Sequence, residues 1–271
     1  HHSAWNIGYL YLHHTAYQAM LHWKRTCEAN PKMWDQSLFR DVLRIGGIAF
    51  DAPGRPELRA KRLFLGYNRS VAIGILPVAT FCSGHTYFVQ RMPQRRGLVP
   101  YSVHTTFQYS GAVGKTHRLR EGMMWLDPPE YYAPKARGFL QYEPTIPLHL
   151  AREAGVMDVE SHFAMVNPQM VQLRAAFLLA QALDRILILP RMVCGIDRFW
   201  APHNGTITGS QTPLPIDPCP ADHVLDLEGM ERHLRTKEGL NITDVLREYS
   251  LLDNPAMPAS VRASARTLPP P

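Results

Sequence analysis

The sequence predicts an α/β protein whose second half contains a parallel sheet. Two apolar runs, at 160–166 and 186–189, have the length and composition of buried strands. Between them, residues 168–183 are apolar on nearly every side, as in a buried helix, and Asn167 followed by Pro168 is a favourable helix start. A strand, a helix and a strand within about thirty residues make a βαβ crossover, which joins parallel strands.

The first half of the chain is predicted to alternate shorter helices and strands. Its helices are expected at 15–30, 34–43 and 115–125, the first of them opened by a capping box from Thr15 to Gln18. Its strands are expected at 6–12, 71–76 and 99–106, the last at a sheet edge because Pro100 lacks an amide donor. The Pro- and Arg-rich residues 51–70 predict a loop.

This order of elements predicts four segments. Residues 1–126 would form a first α/β domain, 127–158 a proline-rich connector, 159–260 a second small α/β unit, and 261–271 a disordered tail. Within the second unit, an amphipathic stretch is expected at 224–234.

The composition is that of a folded, mildly basic protein. Hydrophobic residues make up 45% of the 271 residues and charged residues 19%, which supplies a core and excludes a wholly disordered chain. The net charge of +6 suits a ligand that carries phosphate. The basic residues are spread along the chain, and the densest run, 91–96, lies in a loop flanked by proline and glycine. Nucleic-acid binding is therefore not expected.

Cysteines, sequons and apolar segments bear on the compartment. No Cys-x-x-Cys pair is present among the four cysteines, so neither a zinc site nor a redox motif is indicated. Two disulfides are possible, and Cys194 with Cys219 is the more plausible pair because the two are close in sequence. Three glycosylation sequons, at Asn68, Asn204 and Asn241, favour a lumenal protein. No apolar run is long enough to span a bilayer, so a membrane anchor is expected only upstream.

Trp34, Asp35 and Gln36 are the first candidate site residues. A carboxylate beside an amide at the start of a helix can hydrogen-bond the hydroxyl groups of a sugar, and either group can face positive charge that develops at an anomeric carbon. The alternative is that Asp35 caps the helix and Gln36 is a first-turn residue. On these three residues alone, the capping interpretation is favoured.

The second candidate site runs from His104 through Gly111 to Lys115. A His at the end of a strand offers a neutral nitrogen to a divalent ion. A glycine in the following turn lets the backbone approach phosphate oxygens, and the start of the next helix, together with Lys115, adds positive potential. This arrangement can bind a diphosphate, although a single His near a turn is more often structural.

In this order, and with the sequence around them, these residues resemble the nucleotide-diphospho-sugar transferases of glycosyltransferase family 77. The resemblance includes Asn6-Ile-Gly-Tyr, Trp34-Asp35-Gln36, Phe81-x-x-Gly84 and the stretch from His104 to Glu121. The longer runs CSGHTYFVQ (82–90), HTTFQYSG (104–111), KTHRLREGM (115–123), DPPEYY (127–132) and EYSLLDNP (248–255) are similar to the extensin arabinosyltransferases of plants and green algae. The resemblance covers nearly the whole chain, except residues 51–70 and the tail.

The resemblance implies a GT-A, Rossmann-like glycosyltransferase fold, of which residues 1–126 would be the carboxyl-terminal half. It implies a UDP-sugar donor, a divalent cation, usually manganese, and a type II membrane protein of the Golgi lumen. The implied reaction is the retaining transfer of L-arabinofuranose from UDP-arabinofuranose to arabinosides on hydroxyproline-rich, extensin-type cell-wall glycoproteins.

The resemblance also implies roles for individual residues. As the two catalytic residues, Asp35 would hold the donor sugar and Gln36 would lie beside its reacting face. His104 would be a metal ligand, and Lys115 would contact the diphosphate. Three further residues complete the expected nucleotide-sugar-binding set: Asn6, Gly84 and Gly111. Because Gln36 is a poor nucleophile, attack of the acceptor from the face of the leaving group is expected rather than a covalent intermediate.

One departure from the family pattern concerns the metal. Such enzymes carry an Asp-x-Asp motif that binds the metal and the ribose, and this chain has none. Asp226-Leu-Glu228 comes nearest, but it lies in the second unit and is expected to be a solvated loop or a helix end. The chain is therefore expected to be the carboxyl-terminal part of the enzyme and not to bind a UDP-sugar tightly by itself.

Two alternatives stay open. One is another UDP-sugar donor, such as xylose or galactose, and the other is a non-catalytic glycan-binding remnant without the Asp-x-Asp half. Glu160, His162 and Asn167 lie at predicted strand ends, where ligands often bind, although capping and surface positions are the more common explanation. Trp200 and His203 can contact a glycan acceptor, but packing beside prolines is again the more common role.

Overall fold

The computed structural model describes residues 5–49, 56–61, 63–146, 149, 158–196, 205–207 and 209–268. The chain divides into two compact units, of which the first ends at Pro77 and the second begins at Val78. Both mix helices with short strands, so the predicted α/β class is confirmed. The predicted domain limits at 126/127 and 158/159 fall within the second unit, and that division stays a prediction.

The first unit is built from two packed helices, a short helix and a hairpin. Helix α1 is Tyr17–Ala29, α2 is Asp35–Leu43 and α3 is Pro56–Ala60, while β1, Phe64–Gly66, pairs antiparallel with β2, Val71–Ile73. Ala19 of α1 is buried in one cluster with Phe39 and Leu43 of α2 and with Val71 of β2. The core of this unit therefore packs against α2, whose first residue is the candidate Asp35.

The start of the first unit differs from its prediction. Residues 6–12 do not form a strand: no described strand pairs with them, and Tyr11 is 83% exposed. Thr15 does not cap α1 either. A 3-10 turn, His14–Ala16, precedes the helix, and the His13 side chain accepts a hydrogen bond from the Thr15 amide. The strand is absent because an apolar run without a neighbouring strand has no partner for its backbone, and the cap is displaced because the 3-10 turn places Thr15 before the helix.

Further along the first unit, the helices predicted at 15–30 and 34–43 are confirmed as α1 and α2. The strand predicted at 71–76 is confirmed in a shorter form, as β2. The predicted loop at 51–70 is wrong in part, because it contains α3 and β1.

The second unit carries two parallel sheets. The smaller sheet pairs β3, Phe81–Ser83, with β4, Ser102–His104. The larger has the strands β5 (Phe139–Tyr142), β6 (Ile186–Ile188), β7 (Leu246–Arg247) and β8 (Arg266–Leu268) in the order β7-β6-β5-β8, and each neighbouring pair is parallel. Its helices are α4 (Met92–Arg95), α5 (Gly111–Glu121), α6 (Pro129–Tyr132), α7 (Val159–Ala182), α8 (Leu227–Lys237) and α9 (Ala259–Ser264), and a π-helical segment, His85–Val89, follows β3.

The larger sheet is the centre of the core of the second unit. Leu140 of β5, Leu187 of β6 and Leu246 of β7 are at most 2% exposed. They lie in one cluster with Leu173 of α7. Because α7 connects the parallel strands β5 and β6, the second unit contains a βαβ crossover, but only its helix and its second strand are those that were predicted.

The crossover begins at a different strand from the one predicted. Residues 160–166 belong to α7, whose N-cap is Asp158, the acceptor of a 2.7 Å hydrogen bond from the Ser161 amide. Pro168 lies inside this helix rather than at its start, and it removes one backbone donor there. The first strand of the crossover is β5, which lies within the predicted connector at 127–158. A short apolar run cannot be assigned to strand or helix by periodicity alone, which explains the error.

Other predicted elements of the second unit are present with shifted limits. The strand predicted at 99–106 is β4, the helix predicted at 115–125 is α5, and the amphipathic stretch predicted at 224–234 is α8. The disordered tail predicted from residue 261 is wrong for the residues of β8, and 269–271 lie outside the described residues.

The predicted disulfide between Cys194 and Cys219 is present, and both cysteines are buried. Cys27 and Cys82 are free thiols. None of the helices in the described ranges combines the length and the hydropathy that crossing a bilayer requires.

Candidate functional site

Asp35 stands at the start of α2 in the first unit. Trp34 is the extended residue before the helix, so Asp35 is the first helical residue rather than the cap. Its carboxylate is exposed, and Oδ1 accepts a hydrogen bond from the Gln36 amide at 2.8 Å. A carboxylate in the first turn is stabilised by the helix dipole. Among the described residues nothing donates to Oδ2, so this oxygen can accept from a ligand hydroxyl.

Gln36 and Asn6 meet at one loop of the first unit. The Gln36 side chain is 9% exposed, and its Oε1 accepts a hydrogen bond from the Ile7 amide at 3.3 Å. Asn6 closes a turn in the same loop, because its Oδ1 accepts from the Gly8 amide at 2.7 Å. Gln36 therefore positions the loop that carries Asn6. This contact competes with the predicted place of Gln36 beside the reacting face of the sugar, which stays a prediction.

In the second unit, Gly84 and His104 lie at one edge of the smaller sheet. Ser83 of β3 is opposite His104 of β4 in the parallel register, so the two strands end side by side. Gly84 follows directly, and a Cβ atom there would lie 2.1 Å from the carbonyl oxygen of Thr106. Glycine is therefore required at this approach of two backbones. The carboxyl ends of parallel strands are where α/β proteins commonly bind ligands.

Lys115 lies close enough to His104 to affect its protonation. Desolvation, and after it the positive charge of Lys115, lowers the pKa of the half-buried His104 imidazole. The ring is therefore neutral at pH 7, which is the form that binds a metal ion. Lys115 itself is exposed near the start of α5. The structure brings the two residues together, while their predicted roles as metal ligand and diphosphate contact stay predictions.

Gly111 opens α5 with a left-handed backbone at φ +54°, a conformation that favours glycine. A Cβ atom at this position would lie 3.0 Å from the Glu228 carboxylate. The start of α5, where a phosphate was predicted, therefore faces a carboxylate of the same unit. That carboxylate suits the positive end of the helix dipole, and an incoming phosphate would have to compete with it.

The segment with Asp226 and Glu228 is a helix start, as its alternative interpretation predicted. Asp226 is the N-cap of α8, and its Oδ1 accepts a hydrogen bond from the Gly229 amide at 3.0 Å. This cap confirms the helix end that was expected at Asp226-Leu-Glu228.

Asp222 is a residue of this region that the sequence did not point to. Its Oδ1 accepts from Arg118 Nε at 2.8 Å, and its Oδ2 accepts from the Tyr109 amide at 2.8 Å. Both side chains of the pair are fully buried. Nearby, the Ser110 hydroxyl accepts from the Leu227 amide at 3.0 Å. The loop between β4 and α5 is thus held by a distant part of the chain.

His117 and Glu121 form a buried pair of uncharged groups on α5. Desolvation, with the charges of Arg120 and Arg118, lowers the pKa of His117 to about 3. Desolvation also raises the pKa of Glu121 to about 8, even though its Oε1 accepts a hydrogen bond from the Ala221 amide. The two side chains approach to 3.6 Å. At neutral pH they are therefore a neutral imidazole and a carboxylic acid rather than an ion pair.

The described residues offer few metal ligands. Within them, the group of three or more candidate ligands is formed by Cys194, Cys219 and His223. The two cysteines form a disulfide, so their sulfurs are not thiolate ligands. His104 belongs to no such group in the described part of the chain. The residues present therefore fit one ligand of a divalent ion and not a complete coordination sphere.

The remaining candidate residues of the second unit lie either on α7 or outside the described residues. Glu160 and Asn167 are exposed on the helix, and the His162 Nδ1 accepts from the Gly195 amide at 3.2 Å. Because 160–166 is helical, none of the three lies at a strand end. Two further candidates, Trp200 and His203, lie outside the described residues.

The resemblance predicted from the motifs is confirmed. Residues 1–119, which contain the Asp35 region and the His104–Lys115 region, match the family model of the nucleotide-diphospho-sugar transferases. Over 269 residues the chain is 44% identical to the arabinosyltransferase XEG113 of Arabidopsis thaliana. That alignment covers 97% of this chain and 39% of the relative, so the chain spans about two fifths of the length of that protein. No solved structure matches the chain.

Proposed function

We propose that this chain is part of a glycosyltransferase that transfers L-arabinofuranose from UDP-arabinofuranose to arabinosides on hydroxyproline-rich, extensin-type glycoproteins, with retention of configuration. One observation carries the proposal: the 44% identity to an arabinosyltransferase runs through both compact units of the chain. The name of that relative specifies arabinosyl transfer. The donor nucleotide and the stereochemistry are those that the family resemblance implies, and the acceptor is the one that the longer similar runs imply.

The geometry supports roles in holding the donor. Asp35 presents a carboxylate oxygen at a helix start, where it can accept hydrogen bonds from sugar hydroxyls. Lys115 adds positive charge beside the edge where β3 and β4 end, and it would stabilise the charge that develops on the departing diphosphate. The acceptor hydroxyl would attack from the face of the leaving group, since Gln36 is a poor nucleophile that hydrogen-bonds a backbone amide.

A divalent cation, manganese first, is part of the proposal, with His104 as one ligand. The neutral imidazole is in the correct protonation state to bind it. When bound, such an ion neutralises charge on a diphosphate. In the described part of the chain His104 belongs to no group of three or more candidate ligands, so a complete coordination sphere would need ligands from outside that part.

A Golgi-lumenal location with a membrane anchor upstream completes the proposal. The disulfide between Cys194 and Cys219 suits an oxidising compartment. The sequon residues Asn68 and Asn241 are exposed and can accept a glycan, while Asn204 lies outside the described residues. Sensitivity of the cellular protein to an N-glycosidase and co-migration with a Golgi marker would test this location.

One observation favours a second candidate function, a non-catalytic glycan-binding role. The Glu228 carboxylate faces the start of α5, where it opposes the approach of a diphosphate. If this carboxylate stays in place, the second unit would bind a glycan but no nucleotide.

The test is a donor panel with the full-length protein and a hydroxyproline-linked arabinoside as acceptor. We expect transfer from UDP-L-arabinofuranose to exceed transfer from UDP-xylose and UDP-galactose by at least about tenfold, which corresponds to about 1.4 kcal/mol in the transition state. The product linkage, read by NMR at the anomeric proton, should show retention. Transfer from another donor would replace the arabinose assignment. Acceptor binding without transfer would favour the non-catalytic role.

A further inference from the structure

A separate cavity of the second unit lies at the far end of α5. It has a volume of about 280 Å³ and is lined by the segment before α4, the end of α5 and loops near residues 191, 218–220 and 249–253. At about 1.5 Å per residue, α5 carries the chain roughly 15 Å from Gly111 to Glu121. The cavity therefore lies at the opposite end of α5 from Gly111, and neither His104 nor Lys115 lines it.

Arg91 reaches this cavity from a strained backbone position. It precedes α4 with φ 50° and ψ 38°, a left-handed conformation that is unfavourable for a residue with a Cβ atom. Its guanidinium lies close to the side chains of Tyr249 and Tyr87. All three residues line the cavity. Strain that aims a charged side chain into a cavity is typical of a binding site.

The charges around the cavity nearly cancel. A second guanidinium, that of Arg191, lies near Tyr249 and pairs with Asp217 at 2.8 Å. Asp253 adds a carboxylate to the lining. Burial raises the pKa of Glu121 to about 8, so this lining residue is uncharged at pH 7. Two guanidinium groups thus stand against two carboxylates, and the cavity carries no excess of positive charge that would select an anion.

The lining also alternates polar groups with apolar surface. Guanidinium groups donate hydrogen bonds, the Asp253 carboxylate accepts them, and the Tyr249 hydroxyl can do both. Phe88, Met123 and Pro218 supply apolar walls between these groups. At the liquid volume of water the space would hold about nine water molecules, which is enough for one sugar ring with its hydroxyl groups. A neutral polyhydroxyl ring has the same alternation of donors, acceptors and C–H faces.

We propose that this cavity binds one ring of a neutral sugar and forms a glycan subsite separate from the transfer site. The inference rests on the proposed function only where it takes the glycan to be the acceptor chain. A sugar bound here would hold a growing arabinoside at a second point, remote from the reacting end, and would lengthen its residence on the enzyme.

The experiment measures arabinobiose binding to the full-length protein by saturation-transfer NMR, with neither a UDP-sugar nor a metal ion present. We expect saturable binding that Arg91→Gly weakens by about tenfold, because a charge-assisted hydrogen bond is lost. Glycine favours positive φ, so this variant keeps the fold, and its melting temperature should be at least that of the wild type. The matched control is Arg96→Ala, an exposed arginine at the other end of α4 that does not line the cavity, and it should leave binding unchanged.

Three results would overturn the subsite: no saturable binding of arabinobiose, equal affinity of the wild type and Arg91→Gly, or displacement of the sugar by inorganic phosphate. The last would show an anion site instead. Because no donor is present, a failure of the transfer assay leaves this measurement intact. Conversely, if transfer is normal and Arg91→Gly does not change sugar binding, the subsite is overturned while the proposed transfer function stands.

Discussion

Arg118 and Asp222 form an ion pair with no exposed side-chain surface, in which Arg118 Nε lies 2.8 Å from Asp222 Oδ1. The two residues are 104 positions apart in the chain. The other oxygen of Asp222 accepts a hydrogen bond from the Tyr109 amide. One carboxylate from far downstream therefore binds both the loop that joins His104 to Lys115 and the helix that follows it.

The first prediction concerns this pair. Asp222→Ala should lower the free energy of unfolding by about 3–5 kcal/mol, because it leaves the Arg118 charge buried without a partner. Urea denaturation measures the change. The control is Asp184→Asn, which removes a carboxylate that is 79% exposed in its pair with Arg137 and should cost less than about 1 kcal/mol. If the two variants lose the same free energy of unfolding, the buried pair contributes no more to stability than the exposed pair.

The second prediction is a pH dependence that comes from His117 and Glu121. Burial raises the pKa of Glu121 from 4.5 to about 8, so its contribution to stability is complete below pH 4.5 and is lost as pH rises toward 8. Burial lowers the pKa of His117 from 6.5 to about 3, so its contribution is complete above pH 6.5 and is lost as pH falls toward 3. Between pH 4.5 and pH 6.5 the falling contribution of Glu121 and the rising contribution of His117 cancel, so the pair stabilises the fold most in this range.

Glu121→Gln isolates the alkaline side of that profile. Glutamine keeps an acceptor for the Ala221 amide and cannot ionise. Between pH 6.5 and pH 8 the wild type should lose stability relative to the variant, by up to about 1.4 kcal/mol per pH unit. Urea midpoints at three pH values measure the difference. Parallel profiles for the two proteins would mean that Glu121 is already ionised in the folded state.

The third prediction tests the close approach at Gly84. A Cβ atom would meet a backbone carbonyl at 2.1 Å, so Gly84→Ala should destabilise the protein by about 1–3 kcal/mol through overpacking. The control is Gly122→Ala, whose Cβ would meet the end of the flexible Met124 side chain and should be tolerated better. Thermal unfolding of both variants gives the comparison. Equal tolerance of the two substitutions would argue against the tight packing of Gly84 on Thr106.

The fourth prediction tests the proximity of Lys115 to His104. Lys115→Ala removes a positive charge that disfavours the imidazolium, so the pKa of His104 should rise toward its ordinary 6.5, while desolvation still holds it below that value. Lys115→Arg keeps the charge and should leave the pKa of His104 near that of the wild type. An NMR titration of the His104 ring protons measures both. If the pKa of His104 is the same in Lys115→Ala as in the wild type, the two side chains do not lie close together.

The fifth prediction concerns the catalytic role of Asp35. Because the side chain is exposed, Asp35→Asn should leave the melting temperature unchanged. In the full-length protein it should lower arabinosyl transfer by about a hundredfold or more, as the loss of a group that stabilises developing charge does. Asp41→Asn, an exposed carboxylate further along the same helix, should transfer at the wild-type rate. Unimpaired transfer by Asp35→Asn would remove Asp35 from the site.

Local sequence patterns predict the elements in which apolar residues recur at helical spacing over several turns. The helix around Leu38 and Phe39 and the later half of α7 were found because their buried positions repeat along one short stretch. Strand β5 was missed because it has four residues among prolines, and only its neighbours β6 and β8 make it a strand. Its burial depends on chain that follows it by more than forty residues, which no local pattern contains.

The candidate site divides in the same way. His104 and Lys115 are near each other in sequence, so their spacing was enough to predict that they lie together. Asp222 and Glu228 act on the same loop from a distant segment, and nothing in the residues around them announces a contact with Tyr109 or Gly111. The conformation of this loop therefore depends on tertiary contacts, whereas its candidate ligand residues could be predicted from the sequence.

The strand order β7-β6-β5-β8 determines the order in which the strands of the larger sheet can pair during synthesis. β5 and β6 leave the ribosome first, and β7 then covers the outer edge of β6. The other edge of β5 is covered by β8, Arg266–Leu268, which is made after β5, β6 and β7. Until that moment a row of backbone donors and acceptors on a central strand is open to any other nascent chain. Pairing of β8 with β5 therefore decides whether this sheet closes on itself or stays open to other chains and to chaperones.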